Sequence, residues 1–507
     1  MNETVQEQPL LRSAGYTALI ERYDLEVVPN WHRSLVTTSG IHRSDSTAGV
    51  VEEVYPSKYW PGDGLGDHLE FALKYDGTNL AILAILFETA IREEFLAYLR
   101  SKPTGKYARR LWFLYEFLTG TRLALDDLKR GTYIELLDPD HYYTIKPARP
   151  VRRQRVNDNL LGGDRFCPTI RRTDTLSRFE KADLPGRCRT VVSRYSTALL
   201  KRAMNYLYTK ETKSSFEIER INPNPTRTER FVALLHTAES EDFCQKTRLI
   251  ELQNRIVDPR FRASDYRTSQ NYVGETVAWQ NERIHYACPK PEDLAGLMEG
   301  LLSAHKRMEA GDVSAVGHAA AVAYGFVFLH PFEDGNGRIH RFLIHNILAR
   351  RGFTPEGIMF PVSASMLKDL ADYDASLEAF SRPLMAQVQY VLDEEGRMTV
   401  QNDTARWYRY VDITPQVESL FRFIERTIDG ELVEELAFLA NYDRTKTAIQ
   451  EIVDMPDRQI DLFIRVCLQN NGRLSARKRA SSFDFLSAEE IARMEQAIQS
   501  AYGPAKE

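Results

Sequence analysis

The sequence contains few cysteines, and none of them forms a Cys-x-x-Cys pair. Among 507 residues there are five, an odd number. They are Cys167, Cys188, Cys244, Cys288 and Cys467. This spacing excludes a secreted disulfide scaffold and the paired cysteines of common zinc sites. We therefore expect reduced cysteines with structural roles.

The sequence also lacks a strong excess of charge and any long hydrophobic run. Its 66 Lys and Arg residues against 71 Asp and Glu residues give a net charge of −5, which excludes a global basic field attracting nucleic acid or anionic membranes. The longest apolar runs, 80–87 and 319–329, fall short of the about 20 residues that a membrane-spanning helix needs. No basic segment followed by an apolar one marks a signal peptide at the N-terminus. We expect a cytoplasmic protein, with any nucleic-acid role confined to a local patch.

Helical periodicity dominates the chain. A hydrophobic fraction of 43% is typical of soluble globular proteins, and the length suggests about three domains. Apolar residues recur at spacings of three and four over 190–208, 226–237, 291–309 and 314–329, which predicts a helical bundle. We expect a mainly α protein with three regions. The N-terminal region, 1–187, is mostly helical and includes a basic connector from about residue 146. A helical core follows at 188–395, and a helical C-terminal domain at 396–507.

One segment departs from the helical pattern. Residues 272–288, YVGETVAWQNERIHYAC, place β-branched and aromatic residues on both sides of a polar tip. This pattern predicts a short β-hairpin, or flap, within the helical core. An ordinary surface loop is the alternative.

The segment His330–Arg341, HPFEDGNGRIHR, lies between an apolar helix and a second predicted helix. Gly335 and Gly337 stand where the second helix begins, so backbone N–H groups and the positive end of the helix can cradle an anion such as a phosphate. Arg338 and Arg341, three residues apart, share one face of that helix. Two cations there disfavour the helix unless anions are bound. The loop is therefore a candidate polyphosphate site.

Two further side chains suit phosphate chemistry. Asp334 would repel a phosphate unless a Mg²⁺ ion lay between its carboxylate and the phosphate oxygens. His330 ends the preceding helix, and its ordinary pKa lets it accept a proton near neutral pH. We expect Phe332 to anchor the loop in the core. A lone histidine, glycine turn or helix cap is usually structural, but their combination within twelve residues indicates a site.

These residues match the signature of the Fic family, H-x-F-x-[D/E]-G-N-G-R-x-x-R, at every specified position. The matching residues are His330, Phe332, Asp334, Gly335, Asn336, Gly337, Arg338 and Arg341. The segment thus resembles a Fic active site, with family-like surroundings over 189–392. The resemblance implies an all-helical Fic core that transfers AMP from ATP to a hydroxyl of a target protein.

The resemblance also implies a role for each residue. His330 would deprotonate the Ser, Thr or Tyr hydroxyl of the target, and Asp334 would hold Mg²⁺ across the α- and β-phosphates of ATP. The backbone of 335–337 would cradle these phosphates. Arg338 and Arg341 would bind the β- and γ-phosphates, with Arg341 on the γ-phosphate.

Target binding is implied at a second place. In the family, a hairpin upstream of the motif docks the target by strand addition, so the flap near 272–288 would hold the target segment. Self-modification and a homodimer are both open. Tyr373 resembles a family position near the base of the nucleotide, although an aromatic residue at helical spacing also suits a core.

A segment near 214–219 resembles the inhibitory helix of self-inhibited Fic proteins, [S/T]-x-x-x-E-[G/N]. Ser215 and Glu219 fit this pattern, whereas Arg220 stands where Gly or Asn is expected. Glu219 would pair with the second motif arginine and block the γ-phosphate. A plainer interpretation is that Ser214 and Glu217, three residues on, form a capping box at the start of a helix, and the two interpretations are compatible.

The sequence thus predicts a self-inhibited protein adenylyltransferase. The nearest alternative is a Fic enzyme that transfers UMP, phosphocholine or phosphate, or that removes AMP with water. Gly335 and Gly337 retain the full motif and favour AMP transfer. A second alternative is a regulatory module that senses nucleotide and binds DNA or protein, although an intact His330 argues against an inactive core.

Overall fold

The computed structural model describes residues 11–38, 42–47, 49–278 and 281–503. Over these ranges the chain is mainly α-helical, which confirms the predicted fold class. Up to residue 256 the helices are α1 (Gly15–Tyr23), α2 (Leu65–Phe71), α3 (Leu80–Thr89), α4 (Arg92–Ser101), α5 (Lys106–Thr119), α6 (Asp174–Lys181), α7 (Leu184–Val192), α8 (Thr197–Ile218), α9 (Pro225–Thr237) and α10 (Lys246–Ile256). From residue 291 they are α11 (Pro291–Ala310), α12 (Ala315–Leu329), α13 (Asn336–Arg350), α14 (Val362–Lys368), α15 (Leu370–Met385), α16 (Ala405–Arg409), α17 (Thr414–Arg426), α18 (Val433–Ile452), α19 (Asp457–Leu468), α20 (Ala476–Ser482) and α21 (Ala488–Tyr502). None of these helices in the described ranges combines the length and apolar character needed to cross a membrane.

Short strands form several small sheets. They are β1 (Leu11–Ala14), β2 (His32–Thr37), β3 (Arg43–Thr47), β4 (Val50–Pro56), β5 (Ile134–Glu135), β6 (Arg149–Val151), β7 (Val156–Asp158), β8 (Tyr272–Ala278), β9 (Asn281–Ala287), β10 (Tyr390–Leu392) and β11 (Met398–Val400). The largest sheet has the order β1-β2-β4-β3, with β2 and β4 parallel and the other neighbours antiparallel. No sequence pattern predicted this sheet in the N-terminal region, because strands such as β3 are wholly polar and show no alternation of apolar residues.

Two compact units make up the described chain, and each is discontinuous in sequence. The first comprises Met1–Lys181, Glu229–Phe353 and Asp369–Phe421, and the second comprises Ala182–Thr228, Thr354–Lys368 and Arg422–Glu507. Each unit contains segments from more than one of the three regions that the sequence predicts. The division into those three regions stays a prediction. The five cysteines are buried and reduced, as expected.

The core of the first unit is built around α12, AVGHAAAVAYGFVFL, which is apolar on all sides and almost wholly buried. A helix of this composition is stable only when neighbours cover every face. Ser314 begins it, since its hydroxyl accepts a hydrogen bond from the Gly317 N–H at 3.0 Å. Gly325 allows close approach of α11, because a Cβ there would lie 2.8 Å from Leu301 Cδ1. The packing fixes where α12 ends, one residue before the motif loop.

In the second unit, α8 ends in a left-handed turn. The Ile221 N–H donates to Phe216 O at 3.0 Å and the Arg220 N–H donates to Glu217 O at 2.8 Å, the pair of hydrogen bonds that defines a Schellman motif. Arg220 has φ +55°, a conformation that favours Gly or Asn. The backbone therefore adopts at Arg220 the conformation that suits the Gly or Asn of the inhibitory signature, although the side chain differs.

We predict that Arg220→Gly stabilises the second unit by about 0.5–1 kcal/mol, because glycine adopts this conformation without strain. Lys213→Gly, at an exposed position inside the same helix, should instead cost about 1 kcal/mol. Urea unfolding of both variants, followed by circular dichroism, measures the difference. A lower midpoint for Arg220→Gly would contradict this account of the helix end.

Candidate active site

The motif loop begins at the C-terminal end of α12 with His330 in a left-handed conformation, φ +49°. The His330 N–H still donates to Phe326 O at 2.9 Å, so the residue closes the helix. Its ring Nδ1 lies 3.2 Å from Val327 O. A carbonyl oxygen can only accept, so this hydrogen bond places the proton on Nδ1. The neutral ring then carries its lone pair on Nε2, as a general base requires.

The side chain of Asn336 closes the loop that follows. Its Oδ1 accepts from the Phe332 N–H at 3.1 Å, and its Nδ2 donates to Phe332 O at 2.7 Å. Phe332 is fully buried, which confirms that it anchors the loop in the core. The Asn336 side chain is therefore occupied by the loop itself, and only its backbone N–H is available for an anion cradle.

Gly335 precedes α13 and satisfies two constraints at once. Its φ of +93° lies in the left-handed region, and a Cβ at this position would lie 2.9 Å from Val257 Cγ1. A side chain here would be strained and would also collide with its neighbour. Asn336 and Gly337 lie in the first turn of α13. The N-terminal end of this fifteen-residue helix therefore lies directly after the motif glycine Gly335.

Both motif arginines lie within the first two turns of α13 and are almost completely buried. Arg338 Nη2 donates to Asp334 Oδ1 at 2.6 Å, and its Nη1 donates to Ile256 O at 3.4 Å. Arg341 Nη1 donates to the hydroxyl of Tyr373 at 3.3 Å. The structure thus brings His330 and the two arginines onto one short segment, with Asp334 at its half-exposed edge.

Tyr373 lies on α15 with its side chain buried. Its hydroxyl accepts a hydrogen bond from the Arg341 guanidinium, so this tyrosine orients that arginine. A contact with the base of a nucleotide stays a prediction.

Arg267 binds the backbone of the motif loop, and no sequence pattern predicted a role for this residue. Its Nε donates to His330 O at 2.8 Å, and its backbone N–H donates to Pro331 O at 2.8 Å. The other guanidinium nitrogens donate to Ser269 O and Pro289 O, each at 2.7 Å. One buried side chain therefore links the backbone of His330 to the segment that follows β9.

Gln253 supports the next part of the loop. Its Nε2 donates to Asp334 O at 3.3 Å and to Phe261 O at 2.9 Å, while its Oε1 accepts from the Ala263 N–H at 3.0 Å. It is fully buried beside Leu252 and Ile256 on the inner face of α10. In the sequence, a lone amide among apolar residues at helical spacing was the signal that could have pointed to Gln253. Arg267 lies in an irregular segment, where no sequence pattern pointed to it.

The predicted flap is present as an antiparallel hairpin of β8 and β9, with irregular register after Val273 and Thr276. Residues 279–280 at its tip lie outside the described ranges. The base is firmly held: Cys288 N–H donates to Asn271 O at 3.0 Å, and the buried Tyr286 hydroxyl donates to Phe328 O. In the described part of the chain this sheet has two strands, so each strand has one edge without a ladder partner.

The predicted inhibitory residues lie in the second unit. Ser215 is fully buried in the last turn of α8, and Glu219 follows the helix with a partly buried side chain. Ser214 and Glu217 lie in that same last turn. The alternative of a capping box formed by these two residues is therefore wrong, because the box needs the start of a helix and α8 begins at Thr197. The inhibitory role of Ser215 and Glu219 stays a prediction.

We predict that Arg267→Gln lowers the free energy of unfolding by about 3 kcal/mol, because buried carbonyl groups lose a charged donor. Hydrogen exchange should accelerate together in residues 268–289 and 330–336. Arg262→Gln is the matched control: this exposed arginine donates to one carbonyl, and its loss should cost less than about 0.5 kcal/mol. Equal effects of the two variants would remove Arg267 from this positioning role.

Comparison with known proteins agrees with the motif. Residues 243–348 match the family model described as the Fic/DOC family. A protein adenylyltransferase Fic from Aedes aegypti is 26% identical over 265 residues, which cover 45% of this chain and 49% of that protein. The protein of the same name from Drosophila grimshawi is 34% identical over 110 residues, covering 21% of this chain and 20% of that protein. The chain thus spans about half the length, or less, of the curated relatives it matches.

Solved structures of Fic proteins also align with the chain. A Fic family protein from Desulfovibrio desulfuricans aligns with a TM-score of 0.36 and 18% identity, over 66% of this chain and 86% of that one. A Fic domain containing signaling protein from Bacteroides thetaiotaomicron aligns with a TM-score of 0.37 and 18% identity, over 51% of this chain and 96% of that one. The family match at 243–348 contains the whole motif loop, so over these residues the chain is similar to the Fic/DOC family.

Proposed function

We propose that the protein is an adenylyltransferase that moves AMP from ATP onto a Ser, Thr or Tyr hydroxyl of a target protein. One observation carries the proposal: His330, whose ring Nδ1 is hydrogen-bonded to Val327 O, lies on the same short loop as the N-terminal end of α13 and two buried arginines. The names of the curated relatives support the same activity.

The chemistry of the step follows from this arrangement. His330 Nε2 takes the proton of the target hydroxyl while the hydroxyl oxygen attacks the α-phosphorus of ATP. The bond from that phosphorus to the bridging oxygen breaks, and pyrophosphate leaves. A positioned base contributes about 10²- to 10⁴-fold to such a rate. Nδ1 holds its proton against Val327 O throughout, which keeps the ring in the useful tautomer.

Charge stabilisation would come from the start of α13. The backbone N–H groups of 335–337 and the helix dipole favour an anion at this point. Arg341 would bind the γ-phosphate and Arg338 the β-phosphate, as the resemblance implies. Because Tyr373, Asn336 and Gln253 already fix these groups, little reorganisation is needed when charge develops on the leaving pyrophosphate.

Asp334 fits the Mg²⁺ ion that the family implies. Its carboxylate supplies hard oxygen donors, its side chain is 38% exposed beside the anion cradle, and one oxygen is oriented by Arg338. When bound, Mg²⁺ would neutralise charge on the α- and β-phosphates.

The target would dock on the flap by adding a strand to the β8–β9 ladder, whose strands each have an edge without a partner. Arg267 supports this placement, since it joins the carbonyl of His330 to that of Pro289 at the foot of the hairpin. Movement of the flap relative to the base is limited by this link. Self-modification, a homodimer and a cytoplasmic location stay predictions.

The enzyme would restrain itself through Glu219. The support is the end of α8: its Schellman motif gives Arg220 the left-handed conformation that Gly or Asn takes in the inhibitory signature. Glu219 would offer Arg341 a bidentate carboxylate and so compete with the γ-phosphate. The departure at Arg220 therefore changes the side chain and leaves the turn intact.

The test is transfer of label from ATP carrying it on the α- or the γ-phosphate, with a cell lysate supplying targets. Label from the α-position alone is expected on protein. Glu219→Ala should raise it at least about fivefold, the range of a typical coupling between sites. Adding His330→Ala should lower it by about 10²-fold or more, and Arg341→Ala should weaken the use of ATP with or without Glu219.

Glu217→Ala is the matched control for inhibition. This exposed glutamate lies two residues before Glu219 at the same helix end, and its loss should leave the rate unchanged. Equal rates for wild type and Glu219→Ala would refute self-inhibition alone. Label from the γ-position would replace AMP transfer with phosphate transfer, and nucleotide binding without any label would favour the regulatory module.

A further inference from the structure

A group of metal-ligating side chains lies in the first unit, outside the motif loop. Asp242, Cys244 and His305 each offer a donor atom, and these atoms lie within 4.8 Å of one another. We propose that they form a structural zinc site. This inference goes beyond the proposed function and does not depend on it.

The local structure brings the three residues together from two segments. Asp242 and Cys244 lie two residues apart in the loop before α10, where Asp242 Oδ1 accepts a hydrogen bond from the Cys244 N–H at 2.9 Å. His305 lies on α11, sixty residues further along the chain. No cysteine pair marks this group in the sequence, because its ligands are of mixed type and come from separate elements.

The strongest evidence is the buried ring of His305. Its side chain is 1% exposed, and its Nε2 has no hydrogen-bond partner although it faces Asp242 Oδ1 at 3.4 Å. Its Nδ1 lies 3.1 Å from Nε2 of His318. This hydrogen bond allows the tautomer with the proton on Nδ1. Nε2 then presents a lone pair to the group, the outer-shell arrangement usual for metal-ligating histidines.

The charges balance for a divalent ion. The carboxylate of Asp242 and a thiolate at Cys244 supply two negative charges, and the thiol proton leaves to solvent when the ion binds. Arg350 forms an ion pair with each of two carboxylates here, with its Nη1 3.2 Å from Asp242 Oδ1 and its Nη2 2.7 Å from Glu309 Oε1.

The donor set selects zinc over the Mg²⁺ of the nucleotide site. A thiolate and an imidazole are soft or borderline ligands that suit Zn²⁺, whereas Mg²⁺ prefers oxygen donors alone. The fourth position falls to Glu309, whose Oε2 lies 3.8 Å from His305 Nε2, or to water. The ion would join the loop before α10 to α11 and so support Gln253 and the motif loop.

The test uses the full chain, stripped of metal by chelation and titrated with Co²⁺ as a spectroscopic substitute for Zn²⁺. We expect one equivalent to bind with a thiolate-to-cobalt charge-transfer band, and Zn²⁺ to displace it and raise the unfolding temperature. Cys244→Ser should abolish the band. Asp242→Asn keeps almost the same side-chain size and should weaken Co²⁺ binding by at least about tenfold. This second variant tests the site even if Cys244→Ser does not fold.

Cys467→Ser is the control, since this cysteine is equally buried in the second unit. The band should persist in that variant. Absence of a band in the wild type at one equivalent of Co²⁺, or an unchanged band in Cys244→Ser, would overturn the proposal. So would loss of the band in Cys467→Ser. All these readouts are independent of AMP transfer.

Discussion

Two guanidinium groups buried at the positive end of one helix are the constraint on which the rest of the site depends. Arg338 and Arg341 are 0% and 2% exposed, within the first two turns of α13. Burial of a cation costs several kcal/mol unless opposite charge and hydrogen bonds offset it, and the helix dipole adds to the cost here. Asp334 offsets part of it for Arg338. In the proposed function, a polyphosphate would interact with both arginines and with the helix end together.

The loop can exploit that charge only if its backbone is rigid. His330 has a left-handed conformation that a non-glycine residue adopts at some cost, so the surroundings must impose it. Arg267 binds the carbonyls of His330 and Pro331, Gln253 binds that of Asp334, and Asn336 closes the turn on Phe332. The protein's own hydrogen bonds therefore hold His330 and the start of α13 in place, and the segment at the foot of the hairpin is bound to the same Arg267 guanidinium.

The sequence predicted the elements that local pattern determines. The helices near 291–309 and 314–329, the hairpin and the motif loop each carry their own signal of periodicity or residue type. The remainder depends on contacts between distant segments: the parallel pairing of β2 and β4, Arg267 beneath the motif loop, and the discontinuous units. Arg220 is a different case. Its side chain argued against the inhibitory signature, while the conformation of its backbone, which no residue pattern revealed, agrees with it.

The central claim is that the N-terminal end of α13 binds the phosphates of ATP with the α-phosphorus beside His330. A crystal structure of the Glu219→Ala protein with Mg²⁺ and a non-hydrolysable ATP analogue tests it most directly. The account predicts phosphate oxygens on the backbone N–H groups of 335–337 and on Arg341, with His330 Nε2 facing the α-phosphorus. An analogue bound away from α13, or with its base in place of its phosphates at 335–337, would contradict the claim.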